Sequence, residues 1–325
     1  MQSVLECLPR ASRVGILRLR SLGDCVLSTP AIEILKRSRP DLRLAVMVED
    51  RFRAVFEGNH DLDEILPPAL GALRRWRPML CLNLHGGGRS AWMTALSGAR
   101  YRAGFGHFRF QSVYNVRIPR AQEILGVERK VHTAEHLASA MFYLGAAICE
   151  IPRAKVVVGQ PLSDVRGSVS GISHASGVTG GSRASEPRTS ESGCYAIIHP
   201  FATSPAKTWH AAGFLAVAQH LTQSGLDPVF IGGRVDDLSP FRAFRGIAGA
   251  PLSEIKSLIA GASLFVGNDS GPAHMAAALG VPSVVIFGAS DPAIWGPWRT
   301  ASEVVTAPAG VEQVLDALAR LRVAA

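Results

Sequence analysis

The sequence predicts an α/β protein of two doubly wound, Rossmann-like domains that face a central cleft. Its 325 residues exceed the size at which a single hydrophobic core usually stops growing. Strand and helix patterns alternate in two successive blocks, and each block carries polar residues directly after a strand. We therefore predict a first domain over 1–159, a flexible Ser- and Gly-rich linker over 160–193 and a second domain over 194–325.

The composition predicts a soluble globular protein with an anionic partner. Apolar residues make up 47% of the chain, charged residues 18%, and the net charge is +8. The arginines are scattered and no nucleic-acid-binding module is recognisable, so we expect a phosphorylated saccharide or an acidic membrane surface and no nucleic acid. Five separated cysteines, the lack of a signal pattern and the lack of a long apolar run predict a cytoplasmic protein.

The first block opens with a buried strand, Val14–Leu19, which polar residues interrupt. A helix is predicted over about 28–39, with Pro30 in its first turn, where the missing N–H is no loss. Asp24 is therefore expected in the loop after the first strand. Functional groups of open α/β sheets collect in such loops, and a carboxylate there can act as a base.

Two later segments of the first block carry arginines, and the second of them suits an anionic saccharide. Strands over 42–48 and 79–84 and helices over 52–57 and 90–96 are predicted, and the Gly-rich turn that carries Arg89 joins the last strand to the last helix. This turn is not a phosphate-binding Walker A loop, because no Lys-Ser or Lys-Thr follows it. The next segment interleaves arginines, Arg102 among them, with aromatic residues, and arginine makes bidentate contacts to phosphate or carboxylate.

The first block ends with a pattern that resembles a zinc site and is interpreted otherwise. The string His132-Thr133-Ala134-Glu135-His136 matches the His-x-x-Glu-His pattern of some metalloproteases. It is short enough to arise by chance, and the segment through Gly145 reads as a long helix that closes the domain. We predict no metal ligands here.

The second block repeats the alternation of strand and helix. A strand over 195–200 leads into a loop with Lys207, and a helix follows over about 211–224. The strand over 228–231 ends near Asp236 and Asp237, and one of these carboxylates is a candidate acceptor for ribose hydroxyls. A helix over 252–260, a strand over 284–287 and an amphipathic helix over 311–323 complete the block. The last helix is expected to pack back on the first domain.

A strand, a tight turn and a helix start mark a predicted phosphate site at the centre of this block. The apolar run Ser263–Val266 breaks at Gly267, and an Ala-rich helix begins after Ser270. The first amides of a helix have no intrahelical partner and meet the positive end of its dipole, so those at Ser270 and Gly271 suit a diphosphate. His274 lies one turn further along the same face.

Three motifs of the chain resemble those of the ADP-heptose:lipopolysaccharide heptosyltransferase family, glycosyltransferase family 9. They are listed here in chain order: Arg18-Leu19-Arg20-Ser21-Leu22-Gly23-Asp24 with Thr29-Pro30-Ala31; Lys207-Thr208-Trp209; and Gly267-Asn268-Asp269-Ser270-Gly271-Pro272-Ala273-His274 with Phe287-Gly288-Ala289-Ser290-Asp291-Pro292. The resemblance covers most of the chain outside the linker and implies the GT-B glycosyltransferase fold.

The resemblance also implies roles for individual residues. Asp24 corresponds to the proposed general base, and Lys207 to the lysine that contacts the nucleotide diphosphate. The donor residues expected from the motifs are Thr203, Lys207, Asp236, Asp269, Ser270, Gly271 and His274. The acceptor residues expected are Gly23, Arg89, Arg102, Lys130 and His132.

The function expected from the sequence is inverting, metal-independent transfer of heptose from ADP-heptose to the inner core of lipopolysaccharide. No cofactor or metal is expected, because cationic side chains and the start of a helix are expected to stabilise the leaving diphosphate. A monomer that meets its anionic acceptor at the inner face of the inner membrane is expected. Two alternatives stay open: a related enzyme that uses another sugar nucleotide, and a non-catalytic nucleotide- or saccharide-binding protein of the same fold.

Overall fold

The computed structural model of the chain describes residues 2–159 and 194–321. The predicted linker over 160–193 lies outside these residues. The remainder folds into two six-stranded parallel sheets, one in each half of the chain. None of the helices in the two described ranges combines the length and hydrophobicity needed to cross a membrane.

The first half contains six strands and six helices in the described residues. The strands are β1 Arg13–Leu17, β2 Arg43–Met47, β3 Glu64–Leu66, β4 Leu80–Asn83, β5 Tyr101–Phe105 and β6 Val116–Ile118. The helices are α1 Val4–Cys7, α2 Leu22–Ser38, α3 Leu70–Trp76, α4 Gly88–Ala95, α5 Ala121–Leu125 and α6 Thr133–Leu144, with 3₁₀ turns at Asp50–Val55 and Gln111–Val113. The predicted helix over 52–57 is thus a 3₁₀ turn.

The second half repeats this pattern. The strands are β7 Tyr195–His199, β8 Asp227–Gly232, β9 Arg245–Ala248, β10 Leu264–Asn268, β11 Ser283–Phe287 and β12 Ser302–Thr306. The helices are α7 Ala211–Gln223, α8 Leu252–Ala260, α9 Gly271–Leu279, α10 Pro292–Trp295 and α11 Val311–Arg320, with 3₁₀ turns at Pro205–Lys207 and Ser239–Phe241.

Both sheets have the same doubly wound topology. The strand orders are β3-β2-β1-β4-β5-β6 and β12-β11-β10-β7-β8-β9. Each sheet therefore reverses its winding direction between two central strands, β1 and β4 in one half and β7 and β10 in the other. Ligands of open α/β sheets bind at the carboxyl ends of such strands. The fold thus singles out four loops, those after β1, β4, β7 and β10.

Helix α2 begins earlier than the sequence predicts. Pro30, which was expected in its first turn, lies inside the helix. A proline within a helix loses one N–H and leaves the carbonyl four residues before it without that donor. Here that carbonyl belongs to Val26, and it accepts a hydrogen bond from Oγ1 of Thr29 at 2.8 Å instead. The helix can therefore continue back to Leu22. Asp24 consequently lies in the first turn of α2 and not in the preceding loop.

The two halves share one hydrophobic core across their junction. Buried residues of α2 and α6 belong to the same cluster as Ala273, Met275 and Ala276 of α9 and Phe265 of β10. Helix α2 packs on α6 and on α9, so the start of α2 meets the start of α9. This contact brings the loop after β1 next to the loop after β10.

The last helix packs within its own half. Val314, Ala317 and Leu318 of α11 belong to the cluster of buried residues that includes Phe214 of α7 and Ile286 of β11. The main contacts of α11 in the described residues are with α7, β11 and β12, in place of the expected packing on the first domain.

Candidate active site

The two helix starts at the junction approach each other through two glycines. A Cβ on Gly23 would lie 3.1 Å from Nε2 of His274 and closer still to its Cδ2, and a Cβ on Gly271 would lie 2.6 Å from Cβ of Leu22. Larger residues at either position would push α2 and α9 apart. The residues beside these glycines, Asp24 and Ser270, are therefore held at opposite sides of one narrow gap.

Two residues of the β1–α2 segment orient Asp24. Arg18 is 5% exposed, and its guanidinium forms an ion pair with the carboxylate of Asp24 and donates a hydrogen bond to the carbonyl of Leu84. Ser21 donates a hydrogen bond to Oδ2 of Asp24 at 2.9 Å. The carboxylate stays 24% exposed and faces a cavity. Asp24 is thus fixed in position while it remains accessible.

The cavity at Asp24 has a volume of about 470 Å³ and lies mainly in the first half. His85 follows β4 and lines this cavity together with Arg18, Arg20, His136 and Trp295. Burial lowers the pKa of His136 to about 4, and it lowers the pKa of His85 as well. The cavity therefore offers the exposed guanidinium of Arg20, neutral imidazoles and an aromatic ring to a ligand, while Arg18 is engaged by Asp24.

Lys207 is held at the rim of the second sheet by a buried carboxylate. Its Nζ lies 3.1 Å from Oδ2 of Asp269, which is 7% exposed. Ser290 donates a hydrogen bond to the same oxygen at 2.5 Å, and Nε2 of His274 lies 3.7 Å from Oδ1. The charge of Asp269 is therefore directed at protein groups, Lys207 among them.

A buried side-chain amide connects the loop that carries Lys207 to the neighbouring strands through hydrogen bonds. Asn268 at the end of β10 is fully buried, accepts a hydrogen bond from the N–H of Trp209 at 2.9 Å, and donates one to the carbonyl of Pro200 at 2.9 Å. On the other side, a Cβ on Gly288 would lie 2.8 Å from Cα of Lys207. The loop thus fits a slot between β10 and the segment after β11.

Two buried histidines flank the start of α9. His199 ends β7, and its Nδ1 lies 3.1 Å from Oγ of Ser270. Burial lowers the pKa of His199 to about 4, and burial also lowers the pKa of His274. Nδ1 of His274 is buried without a hydrogen-bond partner in the part of the chain that the structure describes. Both rings are therefore neutral near pH 7 and leave Lys207 as the cation at this helix start.

A second cavity, of about 650 Å³, opens beside the start of α9. The loops after β8 and β9 line it, together with the 3₁₀ turn Asp50–Val55 of the first half. Asp236 is one of its lining residues, and its Oδ2 accepts a hydrogen bond from the N–H of Gly233 at 2.7 Å. Its volume falls in the range of small-molecule sites. A nucleoside can thus be accommodated next to the predicted phosphate site.

The structure brings most of the predicted donor residues together. Lys207, Asp269, Ser270, Gly271 and His274 surround the start of α9, and Asp236 lies in the adjoining cavity. Thr203 is exposed in the same loop as Lys207.

The acceptor residues are brought together only in part. Gly23 lies at the junction, but Arg89 donates a hydrogen bond to the carbonyl of Pro68 at 2.6 Å, in the segment that follows the edge strand β3. Arg102 is paired with Cys81 at the amino end of the sheet, opposite the carboxyl ends that form the cleft. Neither arginine lines the cavity at Asp24.

Lys130 and His132 connect the two halves. Nζ of Lys130 lies 2.5 Å from Oδ2 of Asp291. Nδ1 of His132 accepts a hydrogen bond from the N–H of Ala134, and its Nε2 lies 2.9 Å from the carbonyl of Gly296. Both ring nitrogens of His132 are therefore used by the protein, which leaves this side chain no free polar atom for an acceptor.

The His-x-x-Glu-His string is explained by helix capping. Glu135 accepts a hydrogen bond from the N–H of His132 at 2.9 Å and forms an ion pair with Arg129, so it completes a capping box at the start of α6. Among residues 2–159 and 194–321, no three His, Cys, Asp or Glu side chains are grouped to hold a metal ion.

The sequence interpretation missed several residues that organise the site. Arg18, Asn268, Gly288 and Ser290 all lie within the quoted motifs, but their contacts are made by residues distant in the sequence. His199 is the last residue of a central strand. The rule that ligand-binding groups follow switch-point strands could have identified it.

Comparison with known proteins agrees with this geometry. Residues 72–317 match the model of glycosyltransferase family 9 (heptosyltransferase). Lipopolysaccharide heptosyltransferase 3 of Escherichia coli is 38% identical over 117 residues, which is 32% of this chain and 34% of that protein, so this match spans about a third of each. Lipopolysaccharide heptosyltransferase 1 of Pseudomonas aeruginosa is 23% identical over 300 residues, 88% of this chain and 81% of that protein.

Solved structures show the same fold. A family 9 glycosyltransferase from Veillonella parvula superposes with a TM-score of 0.78 at 19% identity, covering 96% of this chain and 97% of that one. The E. coli heptosyltransferase WaaC with ADP gives a TM-score of 0.73 at 16% identity, covering 95% and 99%. The GT-B architecture expected from the sequence is confirmed by this likeness.

Proposed function

The chain belongs to glycosyltransferase family 9, the heptosyltransferase family, and on this premise we propose that it transfers heptose from ADP-heptose to the inner core of lipopolysaccharide. The observation that carries the proposal is the contact of Gly23 with His274, which sets Asp24 opposite the phosphate site at the start of α9. A base and a leaving-group site at one gap are what glycosyl transfer requires.

The donor half of the proposal rests on the start of α9 and on Lys207. The free amides at Ser270 and Gly271 and the ammonium of Lys207 form a cationic site for a diphosphate. The nucleoside then extends into the cavity of about 650 Å³, where Asp236 is placed to accept hydrogen bonds from ribose hydroxyls. The sugar is left at the gap, next to Asp24.

The chemical step follows from this placement. Asp24 accepts the proton of an acceptor hydroxyl, and the oxygen attacks the anomeric carbon from the face opposite the diphosphate. The bond between that carbon and the diphosphate oxygen breaks, and ADP leaves with the electron pair. Attack from the opposite face inverts the anomeric configuration. Lys207 and the α9 amides stabilise the negative charge that develops on the departing ADP.

Metal independence is part of the proposal. Divalent cations often neutralise a leaving diphosphate in glycosyl transfer, and here a fixed ammonium and a helix start are placed to do so. Asp269 holds Lys207 in place from the buried side, so the cation needs no reorganisation during the reaction.

The acceptor half rests on the cavity at Asp24. Arg18 and Arg20 line it, with His85, His136 and Trp295. Arginines bind carboxylate and phosphate groups, and an aromatic ring packs on a sugar face. We infer that an acidic sugar of the lipopolysaccharide core enters here, with the lipid at the cytoplasmic face of the membrane.

The test is ADP release from ADP-heptose in the presence of lipid A that carries an acidic-sugar core, with and without EDTA. The product linkage is determined by NMR. We expect EDTA-insensitive release and an inverted linkage. Release from a different nucleotide sugar alone would establish the related-enzyme alternative, and tight ADP binding without release from any donor would establish the binding protein.

A further inference from the structure

The net positive charge of this protein comes from its first half. Residues 1–159 contain 23 Lys and Arg against 14 Asp and Glu, whereas residues 194–325 contain 8 against 9. Within the first half the imbalance is concentrated further, because residues 65–122 contain nine arginines and no Asp or Glu. An uncompensated run of this kind favours an anionic partner.

Most of these arginines are exposed. The exposed members are Arg74, Arg75, Arg77, Arg89, Arg100, Arg109, Arg117 and Arg120. Helices α3 and α4 lie side by side on one face of the first sheet, where Nε of Arg74 donates a hydrogen bond to the carbonyl of Leu96 at 2.8 Å. We call the exposed face formed by α3, α4 and the turn that leads to Arg100 the α3–α4 surface.

The α3–α4 surface contains a groove lined by arginines. The groove has a volume of about 530 Å³ and is lined by Arg74, Arg77 and Arg100 with the apolar side chains of Pro78 and Leu96. None of these three arginines has a carboxylate within ion-pair distance in the ranges that the structure describes. The groove therefore combines three guanidinium groups that have no carboxylate partner in the described residues with an apolar wall.

Two large apolar side chains project from the same surface. Trp92 is 63% exposed and Leu96 is 45% exposed. Trp92 lies within α4 and Leu96 follows four residues later at its C-terminal end, so both side chains lie on the same face of the helix. A tryptophan and a leucine beside arginines are typical of a segment that lies in the interface of a membrane, with the rings and methyl groups below the headgroups.

We propose that the α3–α4 surface docks on an anionic phospholipid bilayer. The three arginines of the groove meet headgroup phosphates, and Trp92 and Leu96 enter the acyl boundary. A nucleic acid would also match the charge, but it offers no apolar layer for Leu96. The bilayer is therefore the better match to this combination of groups.

The groove lies at the amino ends of β4 and β5, whereas the cavity at Asp24 lies at the carboxyl ends of the strands. Helix α4 follows the loop that carries His85, and His85 lines the cavity at Asp24. The groove, in contrast, lies at the other end of α4, so a bilayer seated on the groove contacts the end of α4 that is away from the acceptor cavity. Docking can be measured without donor or acceptor, so it is tested separately from the proposed function.

The experiment is co-flotation of the purified full-length chain with vesicles of phosphatidylethanolamine and phosphatidylglycerol, and with vesicles of phosphatidylcholine alone. We expect binding to the anionic vesicles, weakened by salt, and little binding to the neutral ones. Arg77→Gln with Arg100→Gln should weaken binding roughly 30-fold, at about 1 kcal/mol for each arginine near the surface. Trp92→Ser with Leu96→Ser should also weaken binding and remove a blue shift in tryptophan fluorescence.

Matched variants outside the surface serve as controls. Arg10→Gln with Arg37→Gln removes the same charge from other exposed sites, and Ile148→Ser removes an apolar side chain that is 73% exposed. These should bind vesicles like the wild type. Equal binding by all variants, equal binding to neutral vesicles, or displacement of the protein from vesicles by RNA would overturn the proposal. ADP release with a water-soluble acceptor should be unchanged in every variant, which separates a failure of docking from a failure of the proposed function.

Discussion

Gly288→Ala should displace the loop that carries Lys207 and impair transfer. The added Cβ would lie 2.8 Å from Cα of Lys207 and closer still to the carbonyl oxygen of Ala206. Carbon atoms pack at about 3.5–4.0 Å, so the loop must move by about 1 Å. Both obstructing groups are backbone atoms, which cannot rotate away as a side chain could.

The size of the effect follows from the role proposed for Lys207. Misplacement of a catalytic group by about 1 Å costs on the order of 100-fold in rate, and overpacking costs about 1–3 kcal/mol of stability. The assays are kcat/KM for ADP release and thermal unfolding. Gly310→Ala is the matched control, since a Cβ there meets no atom within 4 Å and its φ of −78° suits alanine. A Gly288→Ala enzyme with wild-type kcat/KM would refute the assignment of Lys207.

Three further predictions concern the groups around this loop. Lys207→Met should lower kcat/KM by about 100- to 1,000-fold, because the leaving diphosphate loses its fixed cation, and Lys207→Arg should restore part of the rate. Asn268→Ala should lower the free energy of unfolding in urea by about 2–4 kcal/mol, because it leaves the N–H of Trp209 and the carbonyl of Pro200 unpaired. Stability should fall as the pH drops below about 6.5, because burial lowers the pKa of His199 to about 4, so the unfolded chain binds the proton first. One such histidine contributes a loss of about 2 kcal/mol at pH 5, measured by urea unfolding at pH 7 and pH 5.

Each of these has a result that would contradict it. A Lys207→Met enzyme at wild-type rate would remove the cation from the mechanism. For Asn268→Ala, a decrease of less than about 0.5 kcal/mol in the free energy of unfolding would mean that the Asn268 side chain does not stabilise the loop that carries Lys207. Equal stability at pH 7 and pH 5 would show that the buried histidines are not held neutral, and a His199→Gln variant should have a shallower dependence on pH than the wild type.

Much of the fold could be predicted because long elements carry strong patterns. Helix α8 and the buried strands β10 and β11 begin and end within a residue or two of their predicted positions. Short or half-exposed elements were missed, such as the three-residue β3 and the partly exposed β9, because too few apolar residues mark them. The start of α2 was wrong because the hydrogen bond of Thr29 that compensates for Pro30 is visible only in the structure.

Residues at the cleft could be predicted where their position after a central strand decides their location. Asp24, Lys207 and Ser270 follow central strands of their sheets, so topology alone directs them to the cleft. Arg89 and Arg102 were selected by residue type, which does not indicate where in the sheet a side chain lies. The register that pairs Arg102 with Cys81 at the amino end of β4 is set by the whole sheet and cannot be read from the local sequence.

Asp24 is where the proposed mechanism can be tested most directly. The measurement is the mass of the acceptor after incubation with ADP-heptose and either the wild type or Asp24→Asn, with ADP affinity measured for both. The account predicts an acceptor heavier by one heptose with the wild type, a loss of about 100- to 10,000-fold in rate with Asp24→Asn, and equal ADP affinity. An Asp24→Asn protein that glycosylates the acceptor at the wild-type rate would contradict the assignment of Asp24 as the base.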